Sequence, residues 1–277
     1  MPNSQDFDIL PAVGNNSRAR IIRRQSWKDY FLFSLEFPRI PTEARPGQFL
    51  MVRVSEEPYP LLRRPFSIHF RENHTLDVFF QVVGLGTALL AQKKEGDHLD
   101  VLGPLGKGFT LGSRLNNKIF VLVGGGRGIA PLYFLAWELR SLGGMVKIYY
   151  GGKSLSDLPL KDKFEANDFS VACTTEDGSF GHQGLVSRLL ESALEQIRPD
   201  SLFACGPEAM MKTIARMARQ KKIPAEFSLE SQMGCGFGAC WGCVKRIKRD
   251  GKESWIKICE EGPVFSSEEI IWPEEET

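Results

Sequence analysis

Ile119-Phe-Val-Leu-Val-Gly-Gly-Gly-Arg-Gly-Ile-Ala-Pro131 is the stretch on which the fold turns. Its first five residues are a continuous apolar run, the mark of a parallel strand buried on both faces. Gly124, Gly125, Gly126 and Gly128 make the turn that follows, and an apolar-periodic helix runs from Ile129 to Leu142. A strand, a glycine turn and a helix in this order form a cradle where a dinucleotide pyrophosphate meets backbone N–H groups. Gly125 is expected where the pyrophosphate approaches, so that a larger side chain would fill its space. The spacing departs from G-x-G-x-x-G, and a turn that only permits tight strand–helix packing stays open on this motif alone.

Downstream, strands and helices alternate. Strands are expected at Val146–Tyr150, Phe169–Thr174, Leu202–Cys205 and Ala225–Leu229, with helices at Leu185–Ile197 and Glu208–Lys221. That alternation predicts a doubly wound parallel sheet over residues 113–230. Cys205-Gly-Pro207 falls at the carboxyl edge of a strand, where open α/β sheets bind ligands. Cys205 is therefore either a pocket residue or a buried structural thiol.

Upstream, the grammar is different. Six short candidate strands lie between Ala19 and Leu102, separated by turns such as Arg45-Pro-Gly47 and Glu95-Gly-Asp97, with one short helix at Thr87–Lys94. Residues 18–112 are expected to form a small antiparallel β-barrel. Arg63-Arg-Pro-Phe-Ser-Ile68 sets a guanidinium, a rigid proline, an aromatic ring and a hydroxyl at one strand start. This suits an anionic planar ligand, the arginine pairing with phosphate; a solvated double arginine on an edge strand is the plainer reading. Gly84-Leu-Gly-Thr87 opens the helix and reads as an anion site or as simple capping by Thr87. Phe79, Phe80 and Gln81 end the strand before that loop and are placed to line the same ligand. Residues 1–17 read as an extension.

The C-terminal unit, 231–277, carries Cys235, Cys240, Cys243 and Cys259 in the spacing C-x4-C-x2-C-x15-C. This is the plant-type pattern for a [2Fe–2S] cluster. Asp250-Gly251 predicts a hairpin that folds Cys259 back beside Cys243. Zinc takes paired short spacings, often with histidine, and no histidine lies in the segment; zinc and inert thiols remain as alternatives. The acidic end, Glu274 to Glu276, reads as solvated.

A net charge of +1 implies no general attraction to nucleic acid or acidic membrane. The N-terminal residues lack the basic and apolar regions of a signal peptide, and apolar stretches such as Ile129–Trp137 are too short to span a bilayer. Cysteine use fits a reducing cytoplasm. The histidines His69, His74, His98 and His182 show no ligand spacing.

Taken in order, Arg-Pro-Phe-Ser, Gly-x-Gly-Thr, Gly-Gly-Gly-x-Gly-Ile-Ala-Pro-Leu, Cys-Gly-Pro and the four cysteines resemble the ferredoxin–NADP reductase superfamily over residues 18–272. Within it the chain closely resembles the electron-transfer subunits of class 1B dihydroorotate dehydrogenases. Ser228 to Cys243 and Ile258 to Phe265 carry the most specific likeness. The resemblance implies an FAD-binding barrel, an NAD(H)-binding domain and a [2Fe–2S] module. It implies FAD contacts at Arg64, Pro65, Phe66, Ser67, Gly86 and Thr87, with Arg64 at the pyrophosphate and Ser67 near the flavin ring. It implies nicotinamide-nucleotide contacts at Gly124 to Gly126, Gly128, Ile129, Ala130, Pro131, Cys205, Gly206 and Pro207, and cluster ligation by the four cysteines. Gln81 stands where relatives often carry a basic residue, and Arg127 is unusual within the glycine turn.

Nicotinamide exchanges two electrons as hydride and a cluster carries one, so the resemblance sets a flavin between them. It implies an FMN-containing dihydroorotate-oxidising partner in a hetero-oligomer, since this chain has no barrel for that oxidation. Related subunits serve ferredoxin reductases and hydrogenases, which is the second expectation. A non-catalytic iron–sulfur sensor would need neither cofactor domain. The resemblance favours NAD, although Lys153 after the second strand of the sheet suits a 2′-phosphate.

Overall fold

The computed structural model describes residues 16–38 and 44–272. The remainder of the expected extension and the acidic end lie outside the described residues. Six antiparallel strands close a barrel: β1 (Asn16–Trp27), β2 (Tyr30–Glu36), β3 (Phe49–Arg53), β4 (Arg64–Glu72), β5 (Thr75–Gln81) and β6 (His98–Leu105). Their order around the barrel is β1-β2-β5-β4-β3-β6. The helix α1 (Leu85–Ala91) links β5 to β6. Alternating side chains decide which face turns inward. Phe33, Leu35, Leu50, Val52, Ile68 and Val78 are fully or almost fully buried in one cluster with Phe66 and Phe80. Burial of each such side chain contributes roughly 1.5–3 kcal/mol.

The second domain begins with β7 (Ile119–Gly125) and α2 (Ala130–Ser141), followed by β8 (Met145–Gly152), α3 (Lys161–Glu165), β9 (Ser170–Thr175) and β10 (His182–Gln183). Next come α4 (Val186–Gln196), β11 (Ser201–Cys205), α5 (Glu208–Lys221) and β12 (Ala225–Ser228). The parallel order is β10-β9-β8-β7-β11-β12. Strand order reverses between β7 and β11, whose ends pair Gly124 with Cys205.

The cysteine-bearing segment is tied into both domains. Its hairpin, β13 (Val244–Arg249) and β14 (Lys252–Lys257), turns at Asp250 and Gly251, both with positive φ. After α6 (Ile258–Glu261), β15 (Val264–Ser266) adds antiparallel to β12 as the seventh strand of the nucleotide sheet. Lys107 after β6 donates its N–H to the Gly262 carbonyl. Sequence periodicity gave no warning of β10, α3, α6 or β15, because elements of two to five residues are too short to show a repeat.

Barrel and sheet meet where α2 crosses β4. Phe70 sits edge-on to Phe134 and tilts against Trp137. Lys163 reaches Asp77 at 3.7 Å, and both are largely buried. His69 is fully buried, stacks on Tyr133 at 4.7 Å and places Nδ1 2.9 Å from the Ala130 carbonyl, to which an N–H must donate. Burial, then the Lys163 charge, holds this imidazole well below its ordinary value, against the weaker help of the Ala130 carbonyl.

The sign of the pH effect follows. The unfolded chain takes up a proton near the ordinary imidazole value of about 6.5, and folded His69 does not. Stability is therefore full above that pH and falls as pH falls below it, by at most about 1.4 kcal/mol per pH unit. Asp77, raised by burial, acts in the opposite sense at the acid end of the range. Thermal melts between pH 7 and 5 should show a decline in the wild type that is shallower in His69→Gln. Parallel curves for the two proteins would remove His69 from this account.

Candidate functional site

The reversal of strand order opens a crevice at the carboxyl ends of β7 and β11. Gly126–Ile129 forms a 3₁₀ turn that leads directly into α2, with Pro131 in its first turn. A Cβ on Gly128 would lie 2.3 Å from the Cys205 carbonyl oxygen, so only glycine lets this turn close against β11. Gly126 has φ +52° and nothing within 4 Å of where a Cβ would point. A cavity of about 740 Å³ fills the crevice. Gly125, Gly126, Gly206 and Pro207 line it from the sheet, Leu229 and Glu230 from the chain just after β12, Tyr30 and Gln81 from the barrel, and Lys245 from the cysteine-bearing segment.

Not every residue expected here faces the cavity. Ile129 and Ala130 are buried in the core beneath the turn. Cys205 is likewise buried under the floor, its thiol pushed up by burial and then by the Glu230 charge, and it is not a lining residue. The structural-thiol reading describes its position. Gly125 also differs from expectation. A Cβ there would meet Pro207 Cδ at 2.7 Å and Met210 Sδ at 2.9 Å, not the open crevice. The open direction belongs to Gly126.

Tyr30 and Asp157 were not legible in advance. Tyr30 stacks on Phe79 at 5.5 Å and donates its hydroxyl to Asp157 at 3.0 Å, so one bond joins the barrel to the sheet at the cavity wall. Burial and then Asp157 raise the phenol above its ordinary value. A tyrosine within a strand carries no motif that announces this.

On the barrel, the two arginines separate. Arg63 is held by the Asp100 carboxylate and carbonyl, each at 2.8 Å. Arg64 donates only to the Leu62 and Arg63 carbonyls, and no carboxylate pairs with it among the described residues. Its guanidinium lies against Gly86, where a Cβ would fall 2.8 Å from Nε. The two predicted motifs therefore meet, and exposed Tyr59, Leu61, Leu62, Val83 and Leu85 belong to the segments beside them. A guanidinium without a carboxylate partner, next in sequence to exposed apolar side chains, has the chemistry to suit a ligand with phosphate and flat rings. Pro65 and Ser67 are half-buried on β4, pairing with Met51 and Phe49. Phe66 and Phe80 lie in the barrel core 5.4 Å apart. The Thr87 hydroxyl accepts from the Val83 and Gly84 N–H groups, which is the capping role.

The four cysteines gather in two pairs. Cys243 and Cys259 have sulfurs 3.3 Å apart and are buried. Cys235 and Cys240 each accept the other's backbone N–H, at 3.3 and 3.5 Å. Gly238 N–H points to Cys259 Sγ and Cys259 N–H to Cys243 Sγ, so each of the four sulfurs accepts an amide. Burial opposes ionisation of Cys235, but the amides around it outweigh burial and lower the thiol to about 7. Burial and then Cys243 push Cys259 up to about 12. Two buried sulfurs in contact become thiolates together only with positive charge between them. Two pairs suit two irons, two thiolates each. This loop also touches the barrel: a Cβ on Gly236 would lie 2.4 Å from Met51 Cγ, and Met51 is the ladder partner of Pro65.

Comparison with known proteins gives two family matches. Residues 230–271 match the iron–sulfur cluster binding domain of dihydroorotate dehydrogenase B, and residues 122–216 match an oxidoreductase NAD-binding domain. The electron transfer subunit of dihydroorotate dehydrogenase B (NAD(+)) from Desulforamulus reducens is 39% identical, covering 87% of this chain and 92% of the relative. The corresponding subunit from Geobacillus kaustophilus is 40% identical, covering 84% and 90%. Among solved structures, NADH-dependent reduced ferredoxin–NADP oxidoreductase aligns with TM-score 0.80 and 32% identity over 94% of this chain and 91% of that one. A ferredoxin NADP+ reductase from Neisseria gonorrhoeae with bound FAD and NADP shares the fold at 22% identity and TM-score 0.62, over 74% of this chain and 91% of that one.

The glycine turn yields a paired test. Gly126→Ala should raise the Kd for NADH several-fold, with a strain cost of roughly 1 kcal/mol at its positive φ. Gly125→Val should instead destabilise the fold by about 1–3 kcal/mol through Pro207 and Met210. Nucleotide titration and thermal melting separate the two. An unchanged NADH affinity in Gly126→Ala would show that the open direction is not the ligand's.

Proposed function

The chain belongs to the family of dihydroorotate dehydrogenase B electron transfer subunits, and we propose that it carries electrons between nicotinamide nucleotide in the crevice and an FMN-containing dihydroorotate-oxidising partner. One observation carries this reading. The crevice and the cysteine loop both border the barrel: Tyr30 and Gln81 of the barrel line the crevice, and Gly236 packs on Met51, the ladder partner of Pro65. Flavin, when bound, supplies the exchange between two-electron hydride chemistry and one-electron transfer to iron–sulfur.

The residues of this chain have distinct tasks in that scheme. Arg64 would hold the FAD pyrophosphate, and Gly86 leaves room for the guanidinium beside it. Pro65 and Ser67 on β4 would border the flavin ring, and the buried Phe66, Phe79 and Phe80 keep β4 and β5 packed. The backbone from Gly124 to Gly128 and from Gly206 to Pro207 receives the nucleotide, with Ile129, Ala130, Pro131 and Cys205 supporting it from below. Cys235 and Cys240 would hold one iron of the cluster and Cys243 and Cys259 the other. Phe237, Trp241 and Trp255 are exposed large rings on the cysteine-bearing segment and form the face offered to the partner. NAD is the nucleotide, as in the names of the relatives. The cytoplasm is the compartment, in keeping with six unpaired cysteines, and no helix among the described residues is long and apolar enough to cross a membrane.

The likeness to NADH-dependent reduced ferredoxin–NADP oxidoreductase supports a second reading, in which the partner is a ferredoxin–NADP oxidoreductase subunit. Dihydroorotate oxidation by the co-purifying subunit distinguishes the two.

Two variants test the path. Arg64→Ala should lower flavin content per polypeptide after gel filtration, about tenfold in affinity, while iron content stays at the wild-type level. Full flavin retention would detach Arg64 from the FAD. Cys240→Ser should lose most of its iron, and NADH should still bleach the flavin, yet NAD-linked dihydroorotate turnover with the partner should collapse. Full turnover without iron would falsify the proposed path.

A further inference from the structure

We propose that Arg127 is the cation that receives the pyrophosphate of the nicotinamide nucleotide, and that Glu230 holds Arg127 until the nucleotide displaces it. The inference rests on the reading of the crevice as the nucleotide site. Arg127 is the sole charged side chain in the glycine turn. Its Nη2 lies 3.1 Å from Glu230 Oε2, the two side chains are 48% and 50% exposed, and both line the cavity. The pair stands at the junction of the three units. The Arg127 charge acts on Tyr30 of the barrel, and both charges act on Cys205 under the floor with opposite sign. Glu230 follows Leu229, whose N–H is held by the Pro263 carbonyl beside β15.

The chemistry favours an exchange. An ion pair this exposed is held weakly. A guanidinium matches the paired oxygens of a phosphate in a fork, and the backbone N–H groups of the same turn add to the pull on an anion. Lys245 faces Glu208 at 3.1 Å on the same cavity. Arg127 and Lys245 thus each already face an acid, while Lys153, Asp157 and Glu176 also line the cavity. An entering pyrophosphate brings further negative charge toward Glu230 and Glu208, and the contact to give way is the one inside the turn. Glu230 is in this sense a competitor for the ligand's own partner, and it sets nucleotide affinity below what Arg127 alone would give.

Calorimetric titration of the loaded protein with NAD+, ADP-ribose and adenosine at low and high salt tests the exchange. Arg127→Gln should weaken NAD+ and ADP-ribose about tenfold and make their binding less sensitive to salt. Glu230→Gln should tighten both about threefold. The double variant should bind like Arg127→Gln, Arg127→Lys should keep part of the affinity, and adenosine should respond to none of these changes. Flavin absorbance and melting temperature report that each variant is folded. Unchanged binding in Arg127→Gln, or weaker binding in Glu230→Gln, overturns the exchange while leaving the nucleotide site in place. No binding of NAD+ or ADP-ribose by the wild type overturns the site and the exchange together.

Discussion

The closing of the glycine turn on the Cys205 carbonyl is the contact on which the site depends. It requires a residue without Cβ at Gly128, and it fixes the ends of β7 and β11 at the point where strand order reverses. From that one approach follow the start of α2, the burial of Ile129 under the turn and the open side at Gly126. The crevice is thus a product of backbone packing, and its polar side chains are added to a shape already set.

Charge within that shape is arranged sparingly. Arg63 is tied to Asp100, whereas Arg64, one residue later, meets no carboxylate among the described residues. The difference separates a structural cation from one left for a ligand. The same economy marks the cysteines. Amide N–H groups point at all four sulfurs, yet burial holds Cys259 as a thiol, so the protein prepares the pairs and a metal completes their ionisation.

Much of this was legible in the sequence, for physical reasons. The apolar run from Ile119 to Val123 admits few placements other than a central parallel strand, and the C-x4-C-x2-C spacing constrains the cysteine loop through its glycines. Strand alternation placed the barrel, and Asp250-Gly251 marked the hairpin. What the sequence did not reveal depends on tertiary contact. Nothing local distinguishes Cys205 under the floor from Gly206 in the wall, because one residue reverses the direction a side chain takes. Gly125 and Gly126 are chemically identical, and only their dihedrals assign one to Pro207 and the other to open space. Tyr30 and Asp157, 127 residues apart, meet because the two domains do.

The addition of β15 to β12 has a consequence for how the chain is made. Until the residues around Phe265 emerge from the ribosome, the β12 edge of a hydrophobic sheet stands unpaired, and unpaired edges recruit other chains. Synthesis proceeds from barrel to sheet to cysteines, so the nucleotide domain waits for the end of the chain to seal it. The segment that carries the four cysteines is therefore also the one that covers this edge, and losing it would expose a strand as well as remove the cysteine loop.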